Sequence, residues 1–359
     1  MKKTVVFLMV AIVLLVFPSC SLEAPQTPKA AEESAKFGNP SNYTFQLEDV
    51  YHSPSKENYL YVPPACYKDF VLLTFDPYTN VNNESNTAVL DLRDNRLSHL
   101  PFKTEEFRMD DQSYYWFSYD RVLMREVICR TDRKTLETDV IYSPVANRIM
   151  NNYRLSYGDR YLAWSEFTLD GKGNIDQYYI MVYDIVKNEA FLVDEVKFLF
   201  GFAPLLVINQ GFLAYSDMDQ DGYIINGYDL TSRKKVMVEK CDLMPKGFAF
   251  DGVYLVWIDG DGKRTLTLSS PGTSFERKLG DNCDVADVFQ GEYIIYSQDM
   301  KLYVYSISKE KIIYESQDDM RDPTVSWFIV DHQTGRVALK CEHKDDTNGA
   351  MVLNMQKAD

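Results

Sequence analysis

A short apolar pattern recurs seven times along this chain and constrains its fold more than any other feature. Each copy is a tetrapeptide rich in aromatic and branched residues. The copies are Phe70–Leu73, Tyr114–Phe117, Tyr161–Trp164, Phe212–Tyr215, Tyr254–Trp257, Tyr293–Tyr296 and Val337–Lys340. The last residues of successive copies are 39 to 51 residues apart. A period of this length is typical of architectures in which one small unit is repeated.

Further strand patterns surround each copy. In the third copy, a polar turn leads to Tyr179–Asp184, and Ala190–Val193 follows as another short β-branched and aromatic run. With a short strand before each tetrapeptide, this makes four strands in roughly 45 residues, which is typical of a propeller blade. The sequence therefore predicts an all-β fold, a seven-bladed β-propeller of four-stranded antiparallel blades. Six and eight blades remain alternatives.

The two ends of the repeat predict how the ring closes. The seventh copy runs into Met351–Met355, and only four residues follow, so its blade lacks an outer strand. The segment Tyr43–Val50 precedes the first copy and has no local strand to pair with. We expect it to supply the outer strand of the seventh blade, because first-to-last pairing protects two sheet edges.

An acidic residue follows every tetrapeptide by two or three positions. These residues are Asp76, Asp120, Glu166, Asp217, Asp259, Asp299 and Glu342. Seven acids at one repeat position could form a ring of carboxylates. Because each follows a core strand, they are interpreted as turn formers, and the tryptophans of the tetrapeptides as packing residues.

The N-terminus has the form of a bacterial secretory signal. Lys2 and Lys3 precede an apolar run, Thr4–Phe17, which is too short to span a bilayer core. The pair Ser19–Cys20 that follows resembles a lipoprotein signal, and the resemblance implies lipidation of Cys20 by palmitate-type chains. An ordinary signal with an incidental cysteine is the alternative. The predicted organisation is signal peptide 1–19, lipidated cysteine and polar tether 20–42, and propeller 43–359.

The charge balance limits the classes of partner. Lys and Arg number 38 and Asp and Glu 53, a net charge of −15. We therefore do not expect the protein to bind nucleic acid, because phosphate contacts need clustered cations. The expected location is extracytoplasmic, on the cell membrane or the outer membrane, held by the lipid anchor. Expected partners are that membrane and an envelope protein or glycan.

The repeat over residues 43 to 359 resembles the TolB-like and WD40-like extracytoplasmic propellers at the level of architecture. The chain lacks the Ser-Pro-Asp-Gly signature of the first group and the Trp-Asp and Gly-His marks of cytoplasmic WD repeats. The resemblance therefore implies the fold and a tendency to bind partners. It implies no catalytic residues.

One short segment has the pattern of a metal loop. Asp217, Asp219 and Asp221 alternate before Gly222, which suits a hard cation such as calcium. The competing interpretation is a solvated hairpin turn, since Asp-Gly favours such turns. No other cofactor is expected. The odd number of body cysteines and the lack of a CxxC motif favour small buried hydrophobic residues over a metal or redox site.

Catalytic motifs are scarce. The chain has no Gly-x-Ser-x-Gly, HExxH or GxxxxGK motif, and only four histidines, of which His332 and His343 fall in the last repeat. No catalytic residue is assigned. The sequence favours a membrane-anchored surface lipoprotein whose propeller binds a protein or glycan without catalysis. The alternative is a polysaccharide-active enzyme, a lyase or hydrolase, on the same scaffold.

Overall fold

The computed structural model describes residues 43–53, 60–62, 64–76, 85–196, 203–219, 222–260, 262–316, 328–342 and 348–357. Within these residues the chain forms seven four-stranded antiparallel sheets. This confirms the predicted all-β, seven-bladed propeller. No helix in the described ranges is long and apolar enough to cross a membrane. The signal, Cys20 and the tether lie outside the described residues.

Blades 1 to 6 follow one another along the chain, and each sheet is ordered as in sequence. Blade 1 comprises β2 (Ala65–Tyr67), β3 (Phe70–Thr74), β4 (Thr87–Asp91) and β5 (Arg96–His99). Blade 2 comprises β6 (Phe107–Met109), β7 (Ser113–Asp120), β8 (Arg125–Asp132) and β9 (Thr138–Tyr142). Blade 3 comprises β10 (Ile149–Gly158), β11 (Tyr161–Leu169), β12 (Ile175–Asp184) and β13 (Glu189–Val196).

The next three blades have the same plan. Blade 4 comprises β14 (Leu206–Asn209), β15 (Phe212–Met218), β16 (Tyr223–Asp229) and β17 (Lys234–Cys241). Blade 5 comprises β18 (Gly247–Phe250), β19 (Leu255–Ile258), β20 (Leu266–Ser269) and β21 (Glu276–Gly280). Blade 6 comprises β22 (Cys283–Phe289), β23 (Tyr293–Gln298), β24 (Lys301–Ser306) and β25 (Lys311–Glu315). The recurring tetrapeptides all fall on the second strand of a blade or begin directly before it.

Blade 7 is built from both ends of the described chain. It comprises β26 (Phe328–Val330), β27 (Val337–Glu342), β28 (Asn348–Lys357) and, as its outer strand, β1 (Tyr43–His52). β1 pairs antiparallel with β28 from Tyr43 opposite Lys357 to His52 opposite Gly349. The predicted closure by the N-terminal segment is confirmed.

Apolar side chains hold the blades together face to face. Among the described residues there are seven buried clusters, and each draws its members from two neighbouring blades. Trp116, for example, stacks on Phe102 at 4.5 Å between blades 1 and 2, and Trp164 is fully buried between blades 2 and 3. The tryptophans of the tetrapeptides are therefore packing residues, as predicted.

The propeller has two faces that the strand directions define. In each blade the first strand begins on one face, and the turn from the second to the third strand lies on that same face, which is here called the mouth face. The turns from first to second strand and from third to fourth strand lie on the other, here called the base face. Gly247 at the start of β18 lies opposite Ile258 at the end of β19, which places both on the mouth face.

Candidate functional site

The first strands of the blades surround a central cavity of about 500 Å³. Its wall is mostly apolar, with aliphatic residues from β10, β14, β22 and β26 and the aromatic ring of Phe248 from β18. The charged residues and the histidine of its lining are Glu106, Arg108, Arg154, Lys246, Asp284, Asp287, His332 and Lys340. A cavity of this size with a few polar groups on an apolar wall has the properties of a ligand site.

The cavity opens on the mouth face. Tyr61 precedes β2 and is exposed, and Lys246, directly before β18, is exposed as well. At the other end the lining reaches His332 and Asp287, whose side chains are only 11% and 13% exposed. The open end is therefore lined by the beginnings of the first strands and the closed end by residues near their ends.

A cluster of charged side chains from blades 2 and 3 lies on the cavity wall. Arg108 forms an ion pair with Glu106, and the second carboxylate oxygen of Glu106 accepts the backbone N–H of Leu155 at 2.8 Å. Burial lowers the pKa of Arg154; the carboxylate of Glu106 opposes this shift and the charge of Arg108 adds to it. Two guanidinium groups thus share one carboxylate in a partly desolvated part of the wall.

His332 lies at the closed end and is paired with a carboxylate. Its Nε2 atom is 3.2 Å from Oδ2 of Asp287 in β22, and its ring stacks on Phe289. Burial acts to lower the pKa of His332, but the charges of Asp287, Asp331 and Asp159 outweigh it, so the pKa is raised above its ordinary value. The imidazole is therefore held towards its cationic form.

Buried polar groups close the channel behind His332. Asn209 donates to the carbonyl of Val288 at 2.6 Å, whereas its Oδ1 atom has no hydrogen-bond partner among the described residues. Asp251 accepts the backbone N–H groups of Val253 and Tyr254 on Oδ1. Burial raises the pKa of Asp251, although the backbone hydrogen bonds and the charge of His332 act to lower it. These side chains form a polar floor behind His332.

The candidate calcium residues lie away from this cavity, at the tip of blade 4. Asp217 is in β15, and Asp219 follows it in the turn to β16, where its Oδ1 accepts the N–H of Gly222 at 3.0 Å and its Oδ2 lies 3.5 Å from Nζ of Lys240. Asp221 lies outside the described residues. Within those residues no group of three or more His, Cys, Asp or Glu side chains is arranged to hold a metal ion. The calcium site stays a prediction.

The acids that follow the tetrapeptides do not share one role. Asp120 shapes a turn, because its Oδ1 accepts the N–H groups of Val122 and Leu123. Glu166 instead lies within β11, fully buried, where it accepts the indole N–H of Trp164 at 3.0 Å and lies 3.7 Å from Nη1 of Arg148. The turn interpretation is therefore wrong for Glu166, since β11 continues for three residues beyond it.

Other residues singled out in the sequence have simple environments. Cys66, Cys129, Cys241, Cys283 and Cys341 are buried, as predicted, and no disulfide joins any two of them within the described part of the chain. His52 and His99 lie on the outer strands β1 and β5. His343, the second histidine of the last repeat, lies outside the described residues.

Sequence reasoning did not find Arg108, Arg154, Lys246 or Asp287. Each lies in, or directly before, the first strand of its blade, the short strand that precedes a tetrapeptide. That position is the signal that could have indicated them, because every first strand borders the central channel. Which of its side chains point into the channel depends on the register and on bulges, as between Asn151 and Ser156 in β10.

Comparisons with solved structures show the same fold at low identity. The β-propeller domain of the Trilobed protease from Pyrococcus furiosus superposes with a TM-score of 0.55 and 13% identity, over 84% of this chain and 95% of that one. An oligogalacturonate lyase in complex with manganese has a TM-score of 0.53 and 14% identity, over 88% and 97%. The oligogalacturonate lyase from Vibrio parahaemolyticus has a TM-score of 0.52 and 12% identity, over 87% and 97%. No family model and no curated protein matches the chain. These similarities support the fold alone.

Proposed function

We propose that this protein is a lipid-anchored extracytoplasmic propeller of the TolB-like group that binds an envelope protein or glycan through the open end of its channel, without catalysis. The observation that carries the proposal is the central cavity of about 500 Å³ that opens on the mouth face. Partner choice in such a fold resides in side chains and loops at the channel end rather than in the scaffold.

The cavity wall suits a ligand with both apolar and polar groups. Phe248 and the aliphatic residues offer an apolar surface, while Arg108, Arg154 and Lys246 offer cations near the opening. Charged groups at the edge of an apolar cleft fix the orientation of a ligand, and the apolar wall contributes the burial. Calcium at Asp217, Asp219 and Asp221 would serve to order the neighbouring loop, and no other cofactor is expected.

Gly247 offers a direct way to block this cavity. It lies on the cavity wall, its φ is not in the left-handed region, and an added Cβ would meet no atom closer than 4.0 Å. The Gly247→Trp substitution should fill the cavity without disturbing the backbone. Gly171, in the exposed turn between β11 and β12, has no atom within 4 Å of an added Cβ and provides the matched control, Gly171→Trp.

The test uses the detergent-solubilised full chain on a glycan array and in a pull-down from envelope extract. We expect a retained glycan or protein whose affinity falls at least tenfold in Gly247→Trp and is unchanged in Gly171→Trp. Equal binding by both variants would place the site outside the cavity and contradict the proposal. The anchor is tested separately, because incorporation of labelled palmitate should be lost in Cys20→Ala.

The alternative function is a polysaccharide-active lyase or hydrolase. One observation favours it, namely that His332 and Asp287 place an imidazole and a carboxylate 3.2 Å apart inside the cavity. An acid–base pair in that position could move a proton to or from a bound substrate. Two of the similar structures are oligogalacturonate lyases, at 12% and 14% identity. Release of new chain ends from a polysaccharide by the wild type, abolished in His332→Gln, would support the enzyme over the binding protein.

A further inference from the structure

The turn between β7 and β8 presents a run of exposed apolar side chains on the mouth face. Val122 is 90% exposed and Met124 71% exposed, and Leu123 between them is exposed as well. Arg121 precedes the run and is exposed, and Arg125 follows it. Three consecutive exposed apolar residues lower solubility and are unusual in a surface turn unless they serve a function.

The backbone of this turn does not require apolar residues. Asp120 accepts the N–H groups two and three residues further on, and the fourth residue after it, Met124, has a φ of 52°. The turn that starts at Asp132 on the base face repeats these features, with hydrogen bonds from Lys134 and Thr135 and a φ of 59° at Leu136. That turn reads Asp-Arg-Lys-Thr-Leu, whereas the β7–β8 turn reads Asp-Arg-Val-Leu-Met.

Two further turns of this type show what the geometry requires. The turn after Asp229 carries Thr231 and Ser232 and ends on a φ of 54°, and the turn after Asp184 has one exposed apolar residue, Val186, and ends on Asn188 with a φ of 53°. Of the four turns compared, only the β7–β8 turn has three consecutive exposed apolar residues. The turn geometry therefore does not require this apolar run.

The point at which the chain enters the propeller indicates what this turn faces. Tyr43 begins β1 opposite Lys357, the last residue of β28, and this end of the strand pair lies on the base face. The turn between β7 and β8 joins a second to a third strand and lies on the mouth face. The 22 residues from Ser21 to Asn42 therefore join the propeller on the face opposite to the apolar turn. If Cys20 is lipidated as proposed above, the chain leaves the propeller towards its anchor from the base face.

We propose that Val122, Leu123 and Met124 form a contact element that inserts into an apolar pocket with an acidic rim on a partner protein. The proposal goes beyond the channel site and rests on the proposed anchor only for its orientation. Insertion into the anchoring membrane is disfavoured by the position of Tyr43 on the opposite face. The acidic rim follows from charge complementarity, since Arg121 and Arg125 flank the apolar residues and Arg125 is held in place by donating to the carbonyl of Pro144.

The test exchanges the two turns. In one variant, Val122→Lys, Leu123→Thr and Met124→Leu give the β7–β8 turn the sequence of the Asp132 turn. In the reverse variant, Lys134→Val, Thr135→Leu and Leu136→Met move the apolar run to the base face. Both keep the aspartate and the backbone geometry, so both should fold with an unchanged far-ultraviolet spectrum and Tm.

A photoreactive amino acid is placed at position 122, and for comparison at position 134, of the full-length chain in its membrane. The protein that cross-links to position 122 is identified and purified. The Kd of its complex with the solubilised full chain is then measured for the wild type and for each variant. We expect a Kd at least tenfold weaker for the first variant, a wild-type Kd for the reverse variant, and a smaller loss, strongest at low salt, for Arg121→Gln. The Kd should be unchanged in Gly247→Trp, so failure of the channel proposal and failure of this one are distinguishable.

Four results would overturn the proposal. The first is equal cross-linking from positions 122 and 134, and the second is a Kd that the turn exchange does not change. The third is an adduct that consists of a second copy of this chain. The fourth is binding to vesicles containing about one third anionic phospholipid that is lost when the β7–β8 turn is exchanged. The last of these would assign the turn to a membrane surface instead of a protein.

Discussion

The Nη1 atom of Arg336 in the last blade lies 2.7 Å from Oδ1 of Asp69 in the first blade. The same guanidinium donates to the carbonyl of Lys68 and, through Nε, to Oδ1 of Asn354 at 2.9 Å. Asn354 in turn donates to the carboxylate of Glu48 in β1 at 3.1 Å. One arginine thus connects blade 1, blade 7 and the closing strand on the base face.

Replacing this arginine should weaken the closure of the ring. We expect Arg336→Met to lower the free energy of unfolding by about 1–3 kcal/mol, because it removes hydrogen bonds from a charged donor that is half-buried. Chemical denaturation is the measurement. The control is Arg130→Met, whose ion pair with Asp139 lies within one blade and is largely exposed, and it should change the free energy by less than about 0.5 kcal/mol. Equal losses in the two variants would contradict a role in closure.

The closing strand should be indispensable. A chain that begins after His52 exposes the edge of β28 and the apolar surface that Tyr43, Phe45 and Leu47 cover. We expect this variant to aggregate or to lose its cooperative thermal transition in calorimetry. A chain that begins at Tyr43 should keep the Tm of the longer protein. A milder change, Phe45→Ala, should cost about 2 kcal/mol, because the ring contacts Tyr293 and Tyr314 and is only partly buried.

The pair of His332 and Asp287 predicts a pH dependence of stability. Because the folded pKa of His332 is raised above the ordinary value of 6.5, the contribution of the cation is fully present below pH 6.5 and is lost as the pH rises through the folded pKa. Unfolding free energies of the wild type and of His332→Gln should therefore converge as the pH rises above 6.5 and through the folded pKa. An imidazole NMR titration that gave a pKa below 6.5 would show that burial outweighs the carboxylates.

The buried carboxylate of Glu166 predicts a contrast between two substitutions. Glu166→Ala leaves the indole N–H of Trp164 without its acceptor and removes the carboxylate beside Arg148, so we expect a loss of about 2–4 kcal/mol. Glu166→Gln keeps an acceptor oxygen and should cost less. Denaturation of both, with the exposed Asp176→Ala as control, is the measurement. A near-neutral Glu166→Ala would mean that the turn interpretation describes this residue better than its burial does.

The repeat determined a large part of the architecture. The aromatic and branched tetrapeptides marked the second strands, because a strand buried on both faces must be apolar at every position. The closure was predicted from the missing outer strand of the last blade and the unpaired Tyr43–Val50 segment, because an exposed edge strand is costly. The acids after the tetrapeptides were predicted less well. Asp120 follows its tetrapeptide by three positions and Glu166 by two, and this small difference did not separate them. The length of the strand that contains each residue decides between a turn and a buried ion pair.

The sequence by itself determined an all-β ring of seven four-stranded blades, how that ring closes, and the packing role of its aromatic residues. These properties follow from local periodicity and from the need of each apolar face for a neighbour. The tertiary structure alone decided which polar residues meet. The cavity lining includes Arg108, Arg154, Lys246, Asp287 and His332, which lie up to 224 residues apart in the chain, from Arg108 to His332. They come together only because every first strand borders one channel. It also decided that Val122 and Tyr43 lie on opposite faces, because the direction of each strand in the ring, and not the residues themselves, places a turn on one face or the other.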